Sequence, residues 1–306
     1  MTPPFRAGAG AASRPLARPA ENVSRAVLFM AGAAILIPLL NASAKYLRAD
    51  YPLVEIVWAR YAGHLLCMLV AFAPRRGARL LVTSRPGTQL LRSTLLLAST
   101  AIYFTALGFI QLPTATAISF TGPFMVTALA PVMLGETVGL RRWISVGIGF
   151  LGALVIVRPG LGVSNPAIFL VFGSAACSAL YQLFTRKLAA HDAADTSITY
   201  IALSGTVIGT ILLPFFWKTP ASLLDAALFV GLGVFGGFGH YFVVRAYALA
   251  PAPVVTPFNY ANLLGAALLG ALVFGQFPDL WTWVGAAVIV AGGIDMITRE
   301  RRRRGG

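Results

Sequence analysis

ALGFIQLPTATAISFTGPFMVTALAPVMLGETVGLRRWISVGIGFLG, residues Ala106 to Gly152, recurs in altered form as Ala246 to Gly292 without a gap. A shift of 140 positions lays Pro113 on Pro253, Thr116 on Thr256, Leu129 on Leu269, Gly135 on Gly275, Leu140 on Leu280 and Trp143 on Trp283. The chain is a duplication. Each copy holds a long apolar run, Leu112 to Leu134 and Ala252 to Phe274, and roughly 20 such residues in a helix cross a hydrocarbon layer of about 30 Å. The repeated unit belongs in a bilayer.

The whole composition agrees. With 58% hydrophobic and 11% charged residues among 306, the polar surface is too small to cover a water-soluble globule. A net charge of +14 would suggest nucleic acid in a soluble chain. Here Lys and Arg sit in short loops and tails between apolar runs, so topology accounts for them and no nucleic-acid partner is expected. Cys67 and Cys177 lie in apolar runs without CxxC or Cys/His spacing, which points to no disulfide framework and no metal site.

Ten apolar runs are predicted to span the membrane: Ala26 to Leu47, Pro52 to Ala73, Leu90 to Ile110, Leu112 to Leu134, Trp143 to Val157, Ala167 to Phe184, Ser197 to Trp217, Leu223 to Val244, Val254 to Phe274 and Trp281 to Ile297. Lys and Arg accumulate on the cytoplasmic side. Placing both termini inside puts 19 of the 24 basic residues there, Arg75, Arg76, Arg79, Arg85, Arg92, Arg141 and Arg142 among them. Lys45, Arg48, Arg158 and Lys218 fall outside, and Arg60 falls within a span. The expected organisation is a disordered cytosolic tail (1–24), a first five-helix repeat (25–160), a second (161–298) and a basic cytosolic tail (299–306). Five is odd, so the second copy must insert upside down. Its counterparts of Arg141 and Arg142 are Trp281 and Thr282, uncharged as that inversion requires. The fold class is therefore all-α integral membrane, ten transmembrane helices in two inverted halves, the architecture of a secondary transporter with a central site.

TATAISFTGPFMVTALAPVMLGE (Thr114 to Glu136), RRW, VRPG and GHYFVVRAYALAPAPVVTPFNY (Gly239 to Tyr260) resemble the EamA family of the drug/metabolite transporter superfamily, over about Ala26 to Arg299. The resemblance implies ten helices as two inverted EamA repeats, transport of small organic solutes, no cofactor, and residence in a bacterial inner membrane. The texture is similar to a branch with riboflavin importers and S-adenosylmethionine carriers. Gln276 departs from the pattern: the second repeat often has Glu there, as Glu136 does in the first, which weakens any role for a paired carboxylate.

A polar group at bilayer depth needs a partner or water, a charge at a helix centre costing about 2.5–3.5 kcal/mol on insertion scales. Intramembrane polar residues are therefore the candidates. Thr256, Asn259 and Asn262 recur at three-residue spacing along one helical face beside Tyr260, and their counterparts are Thr116, Ser119, Gly122 and Phe120. Pro123 and Pro257 deprive the carbonyls of Ser119 and Pro253 of helical donors. This pair of helices is the expected solute site, against a plain reading as interhelical hydrogen bonding. Ser174, Ser178, Tyr181, Gln182 and Thr185 form a second stripe with Asn41 as its approximate partner; Tyr181 and Gln182 are the cavity candidates. Arg60 must pair, reach the interface or face a carboxylate or phosphate. Glu55, His64 and His240 are candidates for proton coupling, against an interfacial Glu and satisfied core His. Tyr103, Phe120, Phe124, Tyr181, Phe258 and Tyr260 suit a planar solute such as an isoalloxazine, indole or purine.

Gly231-Leu-Gly233-Val-Phe-Gly236 matches GxGxxG but sits in an apolar helix with no preceding strand; Gly233 and Gly237 instead make a GxxxG packing face. Asn22-Val-Ser24 is a glycosylation sequon on the inner side. No His/Asp, Ser/Lys, HExxH or paired-carboxylate set lies in the spans, so an intramembrane enzyme is disfavoured and no catalytic residue is assigned. The expected function is alternating-access carriage of a small metabolite, with uptake of riboflavin or a similar planar molecule first, and amino-acid or drug export or S-adenosylmethionine carriage next. The partners implied are a small-molecule solute and membrane lipid; the sequence leaves oligomeric state open.

Overall fold

A computed structural model of the chain describes residues 22–135, 137–158, 165–188, 191–250 and 252–304. Among these residues there are twelve α-helices and no strand. They are α1 (Val23–Leu47), α2 (Leu53–Arg76), α3 (Pro86–Leu107), α4 (Leu112–Ser119), α5 (Gly122–Leu134), α6 (Leu140–Val157), α7 (Ile168–Leu188), α8 (Ala194–Phe216), α9 (Leu223–Leu249), α10 (Ala252–Asn259), α11 (Ala261–Phe274) and α12 (Leu280–Arg304). A 3-10 segment, Gly77–Leu81, follows α2. Among the described residues nine stretches are long and apolar enough to span a membrane, counting Leu112–Leu134 and Val254–Phe274 each as one; the last apolar run, Leu280–Met296, is shorter.

Local chemistry sets the ends. Asn22, the sequon residue, is the N-cap of α1, its side chain accepting from the Arg25 amide at 3.1 Å. Val23 and Ser24 thus belong to the first helix, whereas the rest of the expected tail lies outside the described residues. At the other end α12 continues to Arg304, so the basic segment from Arg299 extends a helix. Pro86 opens α3, a position where its missing amide costs no hydrogen bond. Gly135 and Gly275, one duplication step apart, end α5 and α11 in the left-handed region at φ 67° and 63°.

The packing repeats the duplication. By sequence shift α1, α2, α3, α4/α5 and α6 correspond to α7, α8, α9, α10/α11 and α12. Helix α1 packs on α9, and α7 on α3; α2 packs on α9, and α8 on α3; α1 packs on α11, and α7 on α5. The pairs α2–α8 and α6–α12 exchange with themselves. Small residues permit the close approaches. A methyl group on Gly63 of α2 would lie 2.5 Å from Cα of Gly233 on α9, and one on Gly237 would lie 3.1 Å from Cβ of Cys67, so the GxxxG face is a helix contact. Likewise one on Gly152 of α6 would meet the Gly285 carbonyl at 2.8 Å.

Polar clasps tie the ends of the bundle. Lys45 donates to the carbonyls of Leu107 and Ile110 at 2.6 and 2.7 Å, closing the C-terminus of α3. Arg76 at the end of α2 pairs with Asp195 at the start of α8, 3.1 Å away. Asp192 accepts from the Thr83 hydroxyl, from Gln89 at 2.8 Å and from the Ser84 amide at 3.2 Å. Partial burial favours its neutral form, but these donors outweigh it and hold the carboxyl below the usual range. Arg158, the left-handed C-cap of α6, is ion-paired to Asp279, and Ser145 in the first turns of α6 donates to Asp295 late in α12 at 3.2 Å. Helices α6 and α12 are antiparallel.

Candidate functional site

The fourth and ninth apolar runs are interrupted, not merely distorted. In the first, Phe120 and Thr121 separate α4 from α5; their amides bond to Ala117 and Ile118 carbonyls three residues back, and Pro123 offers no amide to the Ser119 carbonyl. In the second the break falls at Tyr260, three residues beyond Pro257, which α10 accommodates. The freed Asn259 carbonyl is taken by the Asn262 side chain, whose Nδ2 donates to Asn259 O at 2.7 Å and to Asn259 Oδ1 at 2.9 Å. Asn262 is buried and its own Oδ1 has no partner.

Phe120 and Tyr260 occupy equivalent positions of the two copies, and their rings meet at 4.9 Å with a 59° tilt. The Tyr260 hydroxyl lies against Gly293, where a methyl group would be 1.9 Å away. On either side a threonine faces a tyrosine: Thr116 with Tyr103 of α3 at 3.3 Å, and Thr256 with Tyr247 of α9 at 3.2 Å. Tyr247 was not singled out by the sequence, because only the fold brings α9 back to Thr256. Ser119 returns its hydroxyl to the Thr116 carbonyl at 2.7 Å. Asn259, Tyr260, Asn262, Thr256, Ser119, Phe120 and Tyr103 thus gather about the two interruptions.

A second cluster is cationic. Arg60 of α2 donates to the Thr100 hydroxyl, which Tyr61 also contacts at 3.0 Å, and its guanidinium lies 4.8 Å from the Tyr61 ring centre and 5.8 Å from that of Phe104. His64, one turn on, sits 5.8 Å from His240 of α9, ring to ring. Arg92 corrects the charge count, which assigned it to the inner loop set and left Arg60 alone within the spans. It is 1% exposed, donating to the Thr185 hydroxyl at 3.2 Å and to the Ser197 carbonyl, and lies 5.3 Å from the Tyr181 ring centre. The signal was Arg85-Pro86: a proline at the first helical position places Arg92 nearly two turns inside α3.

Other expected residues lie apart. Glu55 is buried, accepts from the Lys218 amide at 3.3 Å, and sits nine residues from His64 along α2, about 13 Å of helix. Gln182 is exposed and bonds to Ser178 at 3.5 Å. Asn41 is half-buried on α1, which packs mainly on α9, α10 and α11 and also touches α3 and α4. Gln276 accepts from the Leu112 amide at 3.3 Å, while Glu136 lies outside the described residues.

Hydroxyls and amides at helix breaks, with guanidinium groups buried on continuous helices of the same apolar bundle, can bind and release a solute. The sequence matches the EamA-like transporter family over residues 24–158 and again over 165–297. The chain belongs to the EamA-like transporter family. This EamA-like protein is 30% identical to the riboflavin transporter of Vibrio cholerae serotype O1, over 86% of this chain and 89% of that one. It is 28% identical to the S-adenosylmethionine uptake transporter of Rickettsia prowazekii, over 84% and 87% of the two chains. It is also 28% identical to the pseudopaline exporter CntI of Pseudomonas aeruginosa, over 91% and 97%. A protein crystal structure 16% identical in sequence superimposes with a TM-score of 0.62 over 92% of this chain and 98% of that one, a likeness of fold alone. The protein is a multi-pass membrane transporter of this bacterial family.

Proposed function

We propose that the protein is a secondary carrier that takes up riboflavin or a similar planar metabolite by alternating access across the bacterial inner membrane. The observation that carries this reading is the meeting of two interrupted helices at Phe120 and Tyr260. Interrupted helices at a repeat interface supply polar backbone where a solute can bind inside a bilayer, and aromatic faces suit a flat ring system. Phe120, Tyr260 and Tyr103 would contact the ring, Asn259, Asn262, Thr256 and Ser119 its polar edge. Arg60 and Tyr181, with Gln182 and Asn41, would line the approach, and His64 and His240 would exchange protons, with Glu55 at the Lys218 end. Relatives named riboflavin transporter, in Vibrio cholerae and Rhizobium johnstonii, are each 30% identical to this chain.

In this reading residues 25–160 and 161–298 form ten spans in two inverted halves with both termini in the cytoplasm. The bias of positive charge supports that orientation, and the antiparallel packing of α6 and α12 supports the inversion. S-adenosylmethionine carriage is the second reading, favoured by the Rickettsia relatives; amino-acid or drug export follows it. The test is counterflow of radiolabelled riboflavin and S-adenosylmethionine in liposomes holding the purified protein. Accumulation of labelled riboflavin supports the first reading, movement of S-adenosylmethionine alone the second, and failure of both, with folded protein, removes each.

A further inference from the structure

Arg60 and Arg92 are charged at any physiological pH, yet among the described residues neither has a carboxylate in hydrogen-bond reach. Arg60 meets the hydroxyl of Thr100, and Arg92 meets the hydroxyl of Thr185 and the carbonyl of Ser197. The nearest acid acting on Arg92 is Asp192, whose oxygens are taken up by Thr83, Ser84 and Gln89. Arg60 Nε, Arg92 Nε and His64 Nε2 are all buried without a partner, and His64 is 5% exposed. His240 and Tyr181 each lie within electrostatic range of both guanidinium groups. Two buried guanidinium groups without a hydrogen-bonded carboxylate among the described residues, and a buried imidazole nitrogen without a partner, carried on α2 and α3 beside Tyr181 of α7 and His240 of α9, leave a charge deficit that Asp192 offsets only in part. Guanidinium donors match the paired oxygens of a carboxylate or phosphate.

We infer that the transported solute carries an anionic group, a carboxylate or a phosphate, held between Arg60 and Arg92 with His64, His240 and Tyr181 at its edge. This rests on the carrier reading and narrows its solute to a planar ring for Phe120 and Tyr260 with an acid group for the arginines, which riboflavin itself lacks and which its 5′-phosphate or S-adenosylmethionine carries.

Binding to the purified full chain in neutral detergent tests it without transport. Flavin fluorescence quenching compares riboflavin with its 5′-phosphate, which adds one anion to the same ring; thermal protection compares S-adenosylmethionine with its decarboxylated form. The charged member of at least one pair is expected to bind about tenfold more tightly, the worth of one charge-assisted hydrogen bond. Which pair discriminates names the anion. The preference should collapse in Arg60→Gln and return in Arg60→Lys. Equal affinities within both pairs, or no measurable binding in either, overturn the inference, as does a preference unchanged in Arg60→Gln. Competition by phosphatidylglycerol would assign the anion to lipid and overturn it too. A preference for the charged member without counterflow in liposomes would sink the carrier reading and leave the anion site standing.

Discussion

Arg158 at the C-terminal cap of α6 is ion-paired to Asp279 at the N-terminal cap of α12. Asp279 also accepts from the Thr282 amide at 2.8 Å, as an N-cap does. The eighteen residues of α6 span about 27 Å, so Arg141 at its other end is that far from Asp279. Single cysteines at Arg141 and Asp279, in an otherwise cysteine-free chain, should therefore label from opposite faces of the membrane with an impermeant maleimide. Labelling of both from one face would rule out the inverted arrangement.

The same clasp responds to acid. Burial disfavours the charged form of Asp279, but the Thr282 hydroxyl and amide and the Arg158 charge outweigh it, so its carboxyl titrates below the usual range. A carboxyl depressed in the folded state contributes stability above its unfolded pKa, about 3.9, and loses it as pH falls through the folded value. Asp192 behaves alike. Melting temperature should drop below about pH 4, and the drop should be shallower in Asp279→Asn. An identical profile in that variant would show that the pair does not contribute.

Close packing of α2 on α9 depends on Gly63, whose added methyl would strike Gly233 backbone at 2.5 Å, whereas Gly87 has nothing within 4 Å. Gly63→Ala should cost about 1–3 kcal/mol of stability, as overpacking does. Gly87→Ala should be neutral or stabilising. Thermal denaturation in detergent compares the two; equal melting points would mean that the helices separate freely at this contact.

Asn262 bridges the interruption in the second half through both oxygens of Asn259. Asn262→Ala leaves the Asn259 carbonyl without that donor, and flux should fall about tenfold with little change in membrane abundance. Asn259→Ala keeps the backbone bond and should cost less. A reversed order would place the important group on Asn259 itself.

Much of this was legible in the chain because a duplication prints its own alignment. Gly135 and Gly275 mark equivalent helix ends, and Thr116 and Thr256 are matched by the duplication, but Asn259 and Asn262 meet across the break between α10 and α11 and not along one helical face. Arg92 was missed because counting basic residues treats any arginine near a loop as wetted, while helix α3 begins early enough to bury it. Asn41 and Gln182 show the limit of periodicity: it defines a stripe on one helix but not the neighbour it meets. The Thr256–Tyr247 contact and the break beyond Pro257 likewise follow from tertiary packing.

The rings at the centre differ by one oxygen. Tyr260 carries a hydroxyl that fits because residue 293 is glycine; Phe120 has none, and the residue equivalent to Gly293 in the first half is Ala153, buried at 1% exposure. Identical halves would give the inward-open and outward-open forms equal free energy by symmetry. In the inverted-repeat carrier proposed above, this one-sided oxygen is among the differences between the halves that would make those two forms unequal in free energy.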